Sequence, residues 1–192
     1  YNGYMYIIGG YTGVSDTNCK DAGTNYNCND VQFFRIGQSG GAETSFTTDS
    51  SSYFIYPRFS HTTVAYNGYM YVIGGYHPAS DTNCKDAGTN AYCNDVQYAQ
   101  INADGTLGTW TTDATSYFAF PRYFHTTVAY NGYMYVIGGY KETSDTNCKD
   151  AGTSNYCNDV QYAAINADGT LGTWTTDDAS SYFSIPRYSH TT

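Results

Sequence analysis

Six regularly spaced cysteines are the residues of this chain with the clearest chemistry. They form three pairs, each nine positions apart: Cys19 and Cys28, Cys84 and Cys93, Cys148 and Cys157. An even number of cysteines at fixed spacing, in a chain poor in lysine, predicts disulfides made in an oxidising compartment. Zinc ligation is the alternative, but structural zinc sites usually space their cysteines about two to four positions apart. The pattern therefore favours three disulfide-closed loops and an extracellular or cell-surface location.

The loop around the second cysteine pair also carries oxygen ligands that could hold calcium. Its segment SDTNCKDAGTN contains Asp81, Asn83 and Asp86. Carboxylate and amide oxygens at nearby positions suit calcium, but Lys85 stands where a further ligand is wanted. We favour a loop whose Asx turns satisfy its own backbone, with calcium as the alternative. No other cofactor is expected.

Three histidines occupy equivalent positions, and each follows an arginine by three residues. The pairs are Arg58 and His61, Arg122 and His125, and Arg187 and His190. Three imidazoles that converge on one axis could bind a metal ion. A residue that recurs in every unit is more simply explained by the geometry of the unit, so each histidine is predicted to hydrogen-bond a loop of the neighbouring unit. No metal site is predicted.

Composition and repetition argue against several classes of function. Catalysis needs different groups aimed at one reacting centre, whereas near-identical units present the same group again and again. The chain is therefore predicted not to be an enzyme. A net charge of −9 argues against nucleic acid as a partner. No apolar run approaches the ~20 residues of a membrane-spanning helix, so membrane insertion is not expected.

Internal repeats must position these side chains. The string HTTVAYNGYMYVIGGY runs from His61 to Tyr76 and recurs from His125 to Tyr140, and NADGTLGTWTTD occurs at Asn102–Asp113 and Asn166–Asp177. Repetition at a fixed period is typical of propellers and solenoids. The whole chain, 1–192, is predicted to be three tandem units.

Each unit reads as four strands joined by turns. In the second unit the predicted strands are Thr63–Tyr66, Tyr69–Ile73, Val96–Ile101 and Gly108–Thr112. Asn67-Gly68 between the first two predicts a hairpin turn. The second strand is apolar throughout, which predicts burial on both faces, and the third alternates like a more exposed strand. Gly74-Gly75 is predicted to end the second strand.

These residues together resemble the kelch family. The resemblance rests on the Gly-Gly pair after a strand, on a tryptophan about 36 residues later, and on the Arg-x-x-His lead-in. The glycines are Gly9, Gly10, Gly74, Gly75, Gly138 and Gly139, and the tryptophans are Trp110 and Trp174. It implies an all-β fold, a β-propeller of four-stranded antiparallel blades. The period is longer than the ~50 residues usual for kelch, and Phe46 replaces tryptophan in the first unit.

The predicted blades span about 1–56, 59–118 and 123–183, with 188–192 as the first strand of a further or shared blade. Three blades are fewer than the four to eight of known propellers. The expected partners are therefore other copies of the chain or further repeats of a longer parent chain. Two copies closing a ring, an excerpt of a longer ring and a strand-donating polymer all fit this pattern.

We expect a non-catalytic extracellular protein with a structural or adhesive role, such as a component of a surface assembly or filament. A carbohydrate-binding propeller is the alternative, with glycans or proteins on the aromatic segments between blades. A kelch-type oxidase or a glycan-processing enzyme is the second alternative. The oxidase implied by the resemblance needs a unique tyrosine, cysteine and histidine set, and every cysteine here has a predicted partner.

Overall fold

A computed structural model describes residues 1–13, 27–37, 40–41, 45–77, 92–141, 155–178 and 180–192. All regular structure within these ranges is β, in three antiparallel sheets that follow one another along the chain. The prediction of an all-β propeller fold is thereby confirmed. None of the described segments forms a helix able to span a membrane.

The three sheets are called blades 1, 2 and 3. Blade 1 contains β1 (Tyr4–Tyr11), β2 (Asn27–Arg35) and β3 (Thr47–Thr48), in that order. Blade 2 contains β4 (Thr62–Tyr66), β5 (Tyr69–Tyr76), β6 (Tyr92–Gln100) and β7 (Thr111–Thr112). Blade 3 contains β8 (Thr126–Tyr130), β9 (Tyr133–Tyr140), β10 (Tyr156–Ala164) and β11 (Thr175–Thr176).

A tight turn joins the first two strands of blade 2, β4 and β5, and another joins the first two strands of blade 3, β8 and β9. Asn67 and Gly68 have φ of +47° and +83°, and Asn131 and Gly132 have +49° and +82°. Two consecutive positive φ values define the type I′ hairpin turn, which matches the twist of the strands that it joins. The Asn-Gly signal in the sequence therefore places this turn correctly.

The glycine pair bends its strand and does not end it, so that prediction was wrong. β5 continues through Gly74 and Gly75 to Tyr76, with a register shift between Ile73 and Gly75 in its pairing with β6. The φ values are +57° and +98°. Left-handed residues of this kind form a bulge, which kinks a strand while leaving its ladder intact on both sides.

The exposure predicted for the third strand of blade 2 was also wrong: this strand, β6, is present but mostly buried. Its central Gln97 is fully buried, and its Oε1 accepts a hydrogen bond of 2.7 Å from the backbone N–H of Ile55. The connector between blades thus covers the face that the sequence pattern left to solvent. The fourth strand is shorter than predicted, with only Thr111 and Thr112 in the ladder.

The core lies between blades, not within one blade. Along β5, Met70 and Val72 pack against blade 1, whereas Tyr71 and Ile73 pack against blade 3. The apolar strand of the central blade is therefore covered on both faces, as predicted. We call the contact of blades 1 and 2 the first interface, and that of blades 2 and 3 the second interface.

The outer blades each present one uncovered face. Met5 and Ile7 of β1 are 49% and 50% exposed, whereas the equivalent Met70 and Val72 of β5 are 3% and 0% exposed. Blade 1 has no strand on the inner side of β1 among the described residues. Residues 188–192 form no strand among the described residues, so their assignment as the first strand of a further or shared blade stays a prediction.

Candidate functional site

The first element of the site is a buried arginine–aspartate pair that bridges neighbouring blades. Arg58 follows blade 1, where its backbone N–H donates to Cys28 O, and its guanidinium reaches into blade 2. Nη1 donates to Asp95 Oδ1 at 2.6 Å and Nη2 donates to Asp95 Oδ2 at 2.9 Å. Nη1 also donates to the carbonyl of Gly74 at 2.9 Å. Each blade connector is in this way fixed to the next blade.

The second interface repeats the same pair. Arg122 donates to Asp159 through Nη1 at 2.7 Å and Nη2 at 2.9 Å, and both side chains are fully buried. Burial alone would raise the pKa of Asp159, but the Arg122 guanidinium and its hydrogen bonds hold this pKa below its usual value. Gln161 adds a further hydrogen bond, 2.9 Å from its Nε2 to Asp159 Oδ2. The buried charge is therefore fully paired.

The third arginine of the series has no such partner within the described chain. Arg187 is exposed, and its guanidinium carbon lies 5.5 Å from the centre of the Phe183 ring. Its Nε donates to the carbonyl of Ile185 at 3.2 Å. The structure therefore brings Arg58 and Arg122 into ion pairs and leaves Arg187 on the uncovered face of blade 3.

The histidines contact the preceding blade. His61 Nε2 lies 3.0 Å from the carbonyl of Ile8. His125 Nε2 lies 3.0 Å from Thr62 Oγ1, and His190 Nε2 lies 3.2 Å from Thr126 Oγ1. Burial, with the charge of Arg58, lowers the pKa of His61 to about 4. Burial and Arg122 likewise lower the pKa of His125 to about 3, so both rings are neutral at physiological pH.

These histidines do not meet at one point as metal ligands. Within the described ranges no three His, Cys, Asp or Glu side chains are grouped so that they could hold a metal ion. Each ring contacts a different blade: His61 contacts Ile8 of blade 1, His125 contacts Thr62 of blade 2, and His190 contacts Thr126 of blade 3.

The glycines and tryptophans fill the same interfaces. A Cβ at Gly74 would lie 2.8 Å from His125 Cε1 and 3.1 Å from the carbonyl of Arg122. Gly138 has the same relation to His190, and a Cβ at Gly9 would lie 2.8 Å from the carbonyl of Cys28. Gly75 and Gly139 similarly leave room for His61 and His125, whereas no atom of the described residues lies within 4 Å of a Cβ at Gly10. Trp110 and Trp174 meet Phe54 and Phe118 edge to face at 5.8 and 5.6 Å.

The predicted disulfides and calcium loop fall largely outside the described residues. Cys28, Cys93 and Cys157 are buried, and no described cysteine is a free thiol. Cys19, Cys84 and Cys148 lie outside the described ranges, so the pairing within each repeat stays a prediction. Asp81, Asn83 and Asp86 also lie outside these ranges, and calcium binding likewise stays a prediction.

A row of aromatic rings crosses all three blades, and sequence reasoning missed it. We call it the aromatic belt; its members are Tyr11, Phe59, Tyr76, Tyr92, Tyr123, Phe124, Tyr140, Tyr156 and Tyr188. Successive ring centres are 4.7 to 6.3 Å apart. The signal was present in the sequence: a tyrosine follows each Gly-Gly pair, and an aromatic residue follows each Pro-Arg.

Some rings of the aromatic belt are accessible to a binding partner, and contacts between neighbouring rings hold them in place. Tyr11, Phe124 and Tyr188 are exposed, and the other members are half-buried. Phe54 and Phe118, in the segments between blades, are fully buried and belong to the core. Rigid tyrosines with one ring face exposed are enriched at protein interfaces and also stack on sugars.

Comparison with known proteins adds one finding about the repeats. The family model of the Kelch motif matches residues 57–96 and 121–162. These two segments contain the interblade arginines, the hairpins and the glycine bulges of blades 2 and 3. No curated protein matches the chain.

Proposed function

Because this chain belongs to the kelch-repeat family of β-propeller proteins, we propose that it is a non-catalytic structural and adhesion protein of the extracellular space. Kelch repeats form propeller scaffolds that bind proteins. The specific proposal is that this scaffold holds a protein partner on its aromatic belt.

The aromatic belt is the observation that carries the proposal. It extends over three blades, and stacked or edge-to-face contacts such as Tyr156–Tyr188, at 4.8 Å between ring centres, fix its rings. Fixed aromatic side chains lose little conformational freedom on binding, and tyrosine is enriched among the residues that dominate binding energy. A belt of this kind offers a binding surface that repeats with the blades.

The way in which the polar groups are used supports a non-catalytic role. The guanidinium of Arg122 and the carboxylate of Asp159 are paired with each other, and the neutral ring of His125 is buried between blades. A reactive group needs access to substrate and a distinct neighbour to activate it. These groups instead hold the scaffold together.

The cysteines support an extracellular location. Three buried cysteines, none of them a free thiol, occur at equivalent positions in the three blades. Disulfides with Cys19, Cys84 and Cys148 would each close a short loop and stabilise the fold by roughly 2.5–3 kcal/mol. Such bonds persist in oxidising surroundings, outside the cytosol.

The second candidate function is carbohydrate binding, which the same belt favours. Exposed ring faces stack on sugars, and one weak site per blade gains strength when several blades bind one glycan. The two functions differ in the partner that the belt recognises, so one experiment separates them.

An array that carries purified extracellular proteins and free glycans tests the proposal. We expect the folded, oxidised chain to bind protein spots, and the double variant Phe124→Ala/Tyr188→Ala to bind about tenfold more weakly or less. Both positions are exposed, so the fold should survive. Ile55→Ala removes an exposed apolar side chain outside the belt and is the matched control.

Each outcome of the array discriminates. Binding to glycans alone, lost in the belt variant, favours the lectin function over the protein-binding one. Equal binding by the belt variant and the wild type contradicts the role of the belt. Chemical conversion of arrayed glycans, detected by mass spectrometry, contradicts the non-catalytic role and favours the glycan-processing alternative.

A further inference from the structure

The two uncovered faces of the molecule are complementary halves of an interface that the chain already forms twice. In the first interface, blade 1 contributes the face of Tyr6 and Ile8, and blade 2 contributes the face of Met70 and Val72. The second interface uses the equivalent residues of blades 2 and 3. Blade 3 therefore leaves the first kind of face uncovered, and blade 1 leaves the second kind uncovered.

The two outer blades carry the two halves of the ion pair: Arg187 of blade 3 is exposed, whereas Asp30 of blade 1 is only 6% exposed. Arg187 of blade 3 is equivalent to Arg58 and Arg122, and Asp30 of blade 1 is equivalent to Asp95 and Asp159. The Oδ2 atom of Asp30 accepts a hydrogen bond of 2.9 Å from Gln32 Nε2, as Asp95 and Asp159 do from their own glutamines. Asp30 is thus held in the geometry that receives a guanidinium.

A second polar contact is split between the two faces in the same way. In the first interface, the backbone N–H of Gly68 donates to the Tyr1 hydroxyl at 2.7 Å. In the second, the N–H of Gly132 donates to the Tyr66 hydroxyl at 2.9 Å. The next members of this series are Tyr130, which is 71% exposed, and Gly3, whose Cβ position has no atom within 4 Å.

The apolar parts of the two faces also match. A cavity of about 230 Å³ is lined by Ile137, Phe183, Arg187 and His190 on blade 3. At the internal interfaces the equivalents of Phe183 are Phe54 and Phe118. Each meets a tryptophan of the next blade edge to face, with ring centres 5.8 and 5.6 Å apart. Blade 1 presents Phe46 at that position, 45% exposed.

We propose that blade 3 of one copy packs on blade 1 of a second copy of this chain, with Arg187 of the first paired to Asp30 of the second. Two copies placed in this way form a closed ring of six blades with two such contacts. Six blades lie within the four to eight of known propellers. The inference rests on the proposed scaffold function and names a partner for it.

A second copy fits these faces better than an unrelated protein. A contiguous apolar face in contact with water favours association with a matching apolar face. Here the uncovered face of blade 1 keeps Met5, Ile7 and Phe46 in contact with water. The charged residue on each face is the one that its internal counterpart uses to bind the neighbouring blade.

The oligomeric state of the full 192-residue chain tests the inference. Size-exclusion chromatography with light scattering, at micromolar concentration, should give twice the chain mass of 21.1 kDa. Arg187→Asp and Asp30→Arg should each weaken association by about a hundredfold or more, because each leaves like charges facing one another at the contact. An equimolar mixture of the two variants should recover the two-copy mass, since both contacts of a mixed ring then join opposite charges.

Controls separate loss of association from loss of fold. Asp104→Lys reverses an exposed charge on the central blade and should leave the two-copy mass unchanged. Far-ultraviolet circular dichroism reports whether each variant is folded, and Arg187→Gln and Asp30→Asn are milder replacements if a reversal unfolds the chain. These milder variants should also lose the two-copy mass.

Three results would overturn the inference: a folded wild-type monomer, open filaments in place of a closed pair, or folded charge variants that associate like the wild type. A mixture that stays monomeric contradicts the Arg187–Asp30 pairing. The array experiment on the monomeric Arg187→Asp variant tests the scaffold function separately, because the aromatic belt is present in a single copy.

Discussion

At the residue scale, a small number of buried polar side chains determine how the blades associate. Arg122 and Asp159 exclude water completely and satisfy one another through two parallel hydrogen bonds. Desolvation of such a pair offsets much of its Coulomb attraction, so the pair contributes more to the arrangement of the blades than to net stability. Removal of one partner is a different matter, because it leaves the other charge buried and unpaired.

Replacement of one member of the second ion pair should therefore be far worse than replacement of both. We expect Arg122→Met to lower the free energy of unfolding by about 3–5 kcal/mol. The double variant Arg122→Met/Asp159→Leu should recover most of that loss, because no charge stays buried. Urea denaturation followed by tryptophan fluorescence measures both, and equal losses in the two variants would contradict the role assigned to the pair.

The buried histidines should make the fold sensitive to acid. Their folded pKa values of about 4 and 3 lie below the ordinary value of about 6.5, so the unfolded chain binds protons more readily than the folded chain. Stability is complete above about pH 6.5 and falls with pH below it, by about 2 kcal/mol per histidine at pH 5.

Urea denaturation between pH 7 and pH 5 checks this expectation. His125→Gln should begin less stable at pH 7 but lose about half as much stability as the wild type over the same interval. A pH slope that is the same in the variant and the wild type would show that His125 is not a source of the acid sensitivity.

The positions of the arginines and histidines could be read from the sequence, but their partners could not. The spacing Arg-x-x-His recurs within a short segment, so the repeat reveals it. The carboxylate that Arg58 binds lies 37 residues further along, on the next blade. Only the packing of one blade on another brings Asp95 to Arg58, and nothing local in the sequence selects it from the other acidic residues.

At the element scale, the glycine bulge is the feature that connects strand geometry to blade packing. The kink at Gly74 brings the β5 backbone against the connectors on both sides of blade 2: Gly74 O accepts from Arg58 of the preceding connector, and Gly75 N donates to Arg122 O of the following one at 3.0 Å. A strand without the bulge would keep its register and move these two groups away from their partners.

Two glycine substitutions separate the cost of a positive φ from the cost of steric contact with neighbouring atoms. Gly74→Ala should cost about 3 kcal/mol or more, because it adds close contacts with His125 and the Arg122 carbonyl to the cost of a positive φ. Gly132→Ala has a similar φ but open space around it, so it should cost only about 1–2 kcal/mol. Thermal denaturation compares them, and a Gly132→Ala variant that is as unstable as Gly74→Ala would refute the steric argument.

Elements whose cause is local were predicted more fully than those whose cause is tertiary, although the apolar run of β5 did predict its burial on both faces. The hairpin at Asn67-Gly68 follows from two residues and was correct. The burial of β6 depends on the Ile55 connector of the preceding blade, and the alternating pattern of the strand gave no sign of it. The continuation of β5 past Gly74 depends on the pairing of Gly75 with Cys93, a residue of the next strand that the Gly-Gly pair itself does not reveal.

At the scale of the whole molecule, blades stabilise each other only through their faces. The central blade buries both sides of β5, while β1 and β9 each keep one side partly in water. The stability of the outer blades thus depends on whatever covers their free faces.

Thermal stability should accordingly depend on protein concentration. If two copies close a ring, the melting temperature of the wild type should rise with concentration, because association favours the folded state by mass action. Arg187→Asp should melt at one temperature over the same range. Differential scanning fluorimetry over a hundredfold range of concentration makes the comparison, and a wild-type melting temperature that does not change would count against association.

One of the differences between blade 1 and its sister blades is a pair of aromatic rings in contact. Phe34 and Phe46, with ring centres 4.5 Å apart and planes at 82°, stand where blade 2 has Ala99 and Trp110. Blade 1 has two medium-sized rings where blade 2 has one small and one large side chain, so the face of blade 1 differs in shape from the face of blade 2. Such a difference in shape distinguishes three otherwise similar sheets. Blade 1 of another molecule would pack poorly in the place of blade 2. Exchange of blades between molecules during folding would therefore be disfavoured, although the repeated framework is the same.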